Sequence, residues 1–143
     1  MEFFATASVP ARASDLQRHI RIDTLPDLCR SIEAVLSNEG KWGAVYCIWG
    51  EFRVHREVIR DGVRFTLPGC PNAVQWTITA DNRAQAGTVL IHATINQRGH
   101  DEDFVESLEQ FVIDWKNGLE TGLAEVRARS APKAGEPGMP WFG

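Results

Sequence analysis

Several things are scarce in this chain of 143 residues, and each scarcity excludes a class of protein. Cysteine is one: Cys29, Cys47 and Cys70 are an odd number with no CxxC spacing. A secreted disulfide scaffold uses a dense, even set, so free thiols in a reducing cytoplasm are expected. Basic excess is also missing, because 15 Lys+Arg face 19 Asp+Glu for a formal charge of −4. That balance disfavours nucleic acid and anionic lipid as global partners. No apolar run approaches the ~20 residues that cross a bilayer, and residues 1–9 lack the basic flank and apolar core of a signal peptide. No membrane association is expected. Walker loops, GxGxxG and a serine nucleophile elbow are missing, which disfavours nucleotide hydrolysis and Rossmann-type redox chemistry. His19, His55, His92 and His100 form no local pair of the HxxxH kind, so neither a metal site nor any other cofactor is expected.

What is present is ordinary globular composition, 43% hydrophobic and 24% charged, enough for one core. Residues 1–16 read as an N-terminal arm or edge strand, 17–126 as a single α+β domain, and 127–143 as a tail rich in Pro and Gly. Residues 17–22 alternate and predict a short strand. A helix comes next, with Asp23 or Thr24 as its cap, Pro26 in its first turn, and Leu25, Leu28, Ile32, Val35 and Leu36 as its apolar stripe; Gly40 ends it. Residues 44–58 then alternate, bent at Gly50, with Tyr46, Ile48, Phe52 and Val54 inward against Val45, Cys47, Trp49, Glu51, Arg53 and His55. Arg60-Asp61-Gly62 signals a hairpin leading to Val63, Phe65 and Leu67. Val74, Trp76 and Ile78, then Val89, Ile91, Ala93 and Ile95, continue an antiparallel meander. Residues 101–126 form a long helix. Phe104, Leu108, Phe111 and Trp115 step by four, three and four along one face, and the same step reaches Gly118 and Gly122. Each Gly costs about 1 kcal/mol of helix propensity relative to Ala, so something should offset it.

The run His19-Ile20-Arg21-Ile22-Asp23-Thr24-Leu25-Pro26 and the order of elements resemble the START-like or helix-grip superfamily, also called polyketide cyclase or Bet v 1-like. The resemblance covers about residues 17–126. It implies a curved antiparallel sheet wrapped around a long C-terminal helix, with one shorter helix after the first strand. It further implies that an apolar small molecule is held between sheet and helix, and it supplies no catalytic residue.

The missing side chains at Gly118 and Gly122 admit two physical readings, a close approach of sheet backbone or an open cavity. On the cavity reading, a small apolar or aromatic ligand lies between Tyr46, Phe65, Trp76 and Ile91 on the strands and Trp115, Gly118 and Gly122 on the helix. A second reading is an enzyme of cyclase or dehydratase type, with His55 or His92 as acid/base and Glu51 as an orienting carboxylate. Against it, Glu51, Arg53 and His55 alternate as a solvated sheet face would. Trp42, Trp49 and Trp76 beside Arg53, Arg56, Arg60 and Arg64 could offer single strands a stacking platform, which the acidic total disfavours. A third reading is an assembly protein, because Trp141 and Phe142 are costly to expose at a chain end; residues 131–143 could join a second copy or another protein.

Overall fold

The structure is a computed structural model, and it describes residues 1–80, 87–96 and 102–130. Its strands are β1 Glu2–Ser8, β2 Ile32–Asn38, β3 Trp42–Cys47, β4 Gly50–Ile59, β5 Gly62–Thr66, β6 Gln75–Ala80 and β7 Thr88–Thr94. All pair antiparallel in one curved sheet of order β1-β7-β6-β5-β4-β3-β2. Helices α1 Ala13–His19 and α2 Leu25–Leu28, joined through a 3-10 turn at Ile22–Thr24, precede β2, and α3 Glu102–Ser130 closes the concave face.

The α+β architecture with a long last helix is as expected, but the first third of the chain is built differently. Residues 17–22 are not a strand. Leu16 and His19, three apart, are the buried residues of α1, and Ile20 behind them is its buried, extended C-cap. Residues 18, 20 and 22 share no strand face: Arg18 is exposed on α1, Ile20 is its C-cap and Ile22 opens the 3-10 turn. Asp15 sits in the first turn and accepts from the Arg12 backbone N–H at 2.9 Å. The helix expected up to Gly40 ends at Leu28, because Cys29 turns extended (φ −146°, ψ 112°) and the chain enters β2. Ile32 and Val35 favour strand as readily as helix, and a ladder to β3 decides between them. Pro26 does occupy the first turn of α2. Thr24 does not cap α2 through its side chain; its hydroxyl donates to the His19 carbonyl at 2.8 Å and accepts from the Arg21 N–H at 2.9 Å.

A second difference lies in β3. Cys47 pairs with Gly50, Tyr46 with Glu51 and Val45 with Phe52, so only Ile48 and Trp49 connect the strands. Residues opposite one another share a face. The tight turn, made possible at Gly50 by a φ of +115°, therefore reverses the inside-outside order expected for β3. Val45 and Cys47 are buried, whereas Tyr46 is 47% exposed.

The core lies between the concave sheet face and α3. Phe65, Trp76, Ile78, Val89 and Ile91 come from the sheet, and Leu108, Phe111, Trp115, Leu119 and Leu123 from the helix; all are buried. At about 25 cal/mol per Å² of apolar surface, burial on this scale is the main force holding α3 to the sheet.

Candidate functional site

Phe65 on β5 and Trp76 on β6 are register partners, and their rings stack with centroids 5.4 Å apart. Trp115 of α3 reaches down to both, 6.4 Å from each centroid. Phe111, one helical turn earlier, sets its edge on Trp76 at 4.9 Å. Ile91 is buried on the same concave face, opposite Ile78. Of the strand positions expected to line a ligand, Phe65 and Trp76 thus meet Trp115, and Ile91 is buried on the same face of the sheet.

These rings carry an unanswered polar demand. The indole Nε1 of Trp76 and that of Trp115 are both buried, and neither has a hydrogen-bond acceptor. A buried donor left without a partner costs about 1–3 kcal/mol, and native interiors hold few of them. The two donors belong to neighbouring rings of one cluster, 6.4 Å apart between centroids.

The remaining expected positions lie elsewhere. Tyr46 faces outward beside Glu51, for the register reason given above. Gly118 and Gly122 do not open a cavity. A Cβ on Gly118 would stand 1.8 Å from the Leu28 carbonyl oxygen, and one on Gly122 would stand 3.0 Å from that of Asp27. Main chain does press on these glycines, but it belongs to α2 rather than the sheet. The bare half of α3 is a seat for the end of α2. Ser31 next to it donates to Asp114 of α3 at 2.5 Å, and Gln110 donates to the other oxygen of that carboxylate at 2.8 Å.

The N-terminal half of α3 is fastened by Trp49. From the β3–β4 turn its indole donates to Ser107 Oγ at 2.8 Å, and Ser107 donates in turn to the Phe104 carbonyl at 2.6 Å. The Trp49 ring lies 6.2 Å from Phe104 and 5.0 Å from Phe111, so it covers that end of the aromatic cluster. No sequence signal distinguishes this tryptophan from a solvent-facing one, since its role depends on where a turn meets a distant helix.

The acid/base candidates stand on the outer face. His55 stacks on Trp42 at 4.2 Å, with Glu57 4.0 Å from its Nδ1. Glu57 is held by Arg64 at 3.2 Å, and that hydrogen bond keeps its carboxyl below the usual range. His92 stacks on Phe4 at 4.4 Å and meets Glu2 at 2.7 Å. Glu51 pairs across the sheet with Tyr46, so none of the three looks into the core. The expected single-strand platform is dispersed too: Arg53 lies 4.9 Å over the Trp42 ring, Arg56 turns toward α1, and Trp49 and Trp76 pack inward. Cys29 and Cys47 are buried, and burial pushes both thiols upward, away from nucleophilic thiolate. Among the described residues no cluster of His, Cys, Asp and Glu could hold a metal ion, and no helix is long and apolar enough to cross a membrane. His100 and residues 131–143, with Trp141 and Phe142, lie outside the described residues.

Comparison with solved structures places this architecture. XoxI from Bacillus cereus superposes with a TM-score of 0.64 at 14% identity, over 88% of this chain and 97% of its own. A START superfamily protein from Mycobacterium smegmatis gives 0.59 at 11% identity, over 90% and 99%. The fold is START-like. A Thermus thermophilus protein gives 0.55 at 19% identity, over 92% of this chain and 100% of that one. No protein-family model matches the sequence, and no curated protein matches it. At these identities the likeness extends to the fold alone.

Proposed function

We propose that the chain binds a small apolar or aromatic molecule carrying a hydrogen-bond acceptor, in the START-like interior beside Phe65, Trp76, Ile91 and Trp115. The observation that carries this reading is the pair of buried indole N–H groups without acceptors. A carbonyl, ether or hydroxyl oxygen set between them would supply what the protein does not, while an aromatic body would replace ring contacts in kind. Phe65, Trp76, Phe111 and Trp115 pack against one another, so binding requires the N-terminal half of α3 to shift on the sheet. The cyclase or dehydratase alternative has no comparable support, because His55, His92 and Glu51 stand on the opposite face from the core.

The test is indole ¹⁵N–¹H NMR during titration with flavone, 1-naphthol and decanoic acid. Binding should move the Trp76 and Trp115 N–H resonances together and leave Trp42 in place. Trp76→Phe and Trp115→Phe, each removing one donor, should weaken binding about tenfold. If every probe leaves both resonances still, or both variants bind as tightly as the parent, the reading is wrong.

A further inference from the structure

Two surface clefts meet at one pair of cations. The first, about 400 Å³, lies between the 3-10 turn and the β2–β3 connection, with Arg21, Asp23, Asn38, Gly40, Lys41 and Arg56 around it. The second, about 410 Å³, continues along β4 past His55, Glu57 and Val58. Lys41 and Arg56 belong to both.

The neighbouring charges are already spoken for. Arg21 holds Asp23 at 2.9 Å and also donates to the Arg18 carbonyl, and Glu57 holds Arg64. Lys41 and Arg56, in contrast, have no carboxylate within salt-bridge distance among the described residues. Arg56 is fixed in place, its Nε donating to the Ile20 carbonyl at 2.8 Å and its Nη2 to the Gln17 carbonyl. This leaves Nη1 as its uncommitted end. The Arg56 backbone N–H donates to the Lys41 carbonyl at 2.8 Å, which keeps the two residues side by side. Arg56 is half-buried, so its charge is poorly solvated, and burial lowers its hold on the proton. On a chain whose net charge is −4, this is a local positive site built on a rigid support. Val58 on the rim is 59% exposed and offers an apolar surface beside it.

We infer that Lys41 and Arg56 form a binding site for the phosphate group of an organic phosphate monoester, with the organic part lying along Val58. A divalent anion meets one ammonium and one oriented guanidinium N–H, the donor chemistry that phosphate oxygens accept best. The site lies on the surface and is separate from the aromatic interior, so it stands or falls independently of the ligand proposed there.

The experiment is calorimetric titration with phenyl phosphate and with inorganic phosphate, alongside co-sedimentation with phosphatidic acid vesicles and with phosphatidylcholine vesicles. Phenyl phosphate should bind, and Lys41→Glu should weaken it tenfold or more, with a Lys41→Gln loss between the two. Val58→Asp should weaken phenyl phosphate more than inorganic phosphate. Pull-down by phosphatidic acid alone, lost in Lys41→Glu, would assign the phosphate to a lipid headgroup; binding of phenyl phosphate without vesicle binding would assign it to a free ester. Absence of binding to every phosphate probe overturns the site. So does binding unchanged in both Lys41 variants, whose unaltered thermal unfolding shows them folded.

Discussion

At the scale of single residues, His19 is the clearest pH sensor of stability. It is 7% exposed and its Nδ1 has no partner. Burial lowers its pKa; Asp15 opposes that shift, and Arg127, Arg18 and Arg21 reinforce it. The folded state therefore binds this proton less readily than the unfolded state, whose imidazole titrates near 6.5. Stability should be full above that value and decline as pH falls through it toward the folded pKa. The depressed carboxylates Asp23, Glu57 and Glu120 act in the same direction, but below about pH 4.5. Urea unfolding at pH 7 and pH 5 should show a loss in the parent that His19→Leu abolishes; an equal loss in both would assign the effect to other groups. The glycines of α3 give a second residue-level expectation. Gly118→Ala drives a methyl into the Leu28 carbonyl and should destabilise by about 2 kcal/mol or more, as overpacking against main chain does. Gly122→Ala, with 3.0 Å available, should be near neutral, because Ala regains about 1 kcal/mol of helix propensity. Equal unfolding midpoints for the two variants would contradict this assignment of the glycines.

At the scale of elements, the hydrophobic period is readable wherever one side of an element alone meets the core. Phe104 to Trp115 on α3, Trp76 and Ile78 on β6, and Val89 and Ile91 on β7 are such cases. Residues 32–38 are not readable in this way, because Ile32, Val35 and Leu36 fit a helical stripe and the ladder to β3 is long-range information. Tyr46 departs from its expected face because of a turn two residues long, since each residue added or removed in a connection inverts the face of the adjoining strand. The site is half legible for the same reason: Phe65, Trp76 and Ile91 emerge from strand alternation, and Trp115 from the helical step. The missing acceptors at the two indoles, and the carbonyl facing Gly118, depend on what lies across the core. Trp49 belongs to this class as well. Ser107→Ala removes its acceptor and should cost about 1 kcal/mol in urea unfolding, leaving the Trp49 ring contacts in place. A cost near zero would mean that the hydrogen bond is exchanged for water without loss.

At the scale of the whole molecule, the sheet ends in two unlike edges. β2 carries register irregularities between Ile32 and Ala34 and between Val35 and Ser37, features that discourage edge pairing. β1 is regular along its full length with β7 and is tied to α3 where the Ser8 N–H donates to Glu120 at 2.7 Å. Removing residues 1–8 would expose the backbone of β7 together with the core surface now covered by Phe3 and Ala7. Size-exclusion chromatography with light scattering should then show association of the shortened chain, while the full chain serves as reference; a monodisperse shortened chain would show that β7 tolerates an open edge.

The close seat of Leu28 on Gly118 has a mechanical consequence. Around that point α3 is clamped by main chain and by the Ser31–Asp114 bond, whereas nearer its start the Trp49 side chain of the β3–β4 hairpin holds it through Ser107. Thermal breathing of the helix should therefore be lopsided, pivoting on the glycine and parting first beside Trp49, like a door whose hinge is set at mid-length. Hydrogen-deuterium exchange would record it as amides of 106–110 exchanging faster than those of 117–122, and a small guest would enter from the hairpin side.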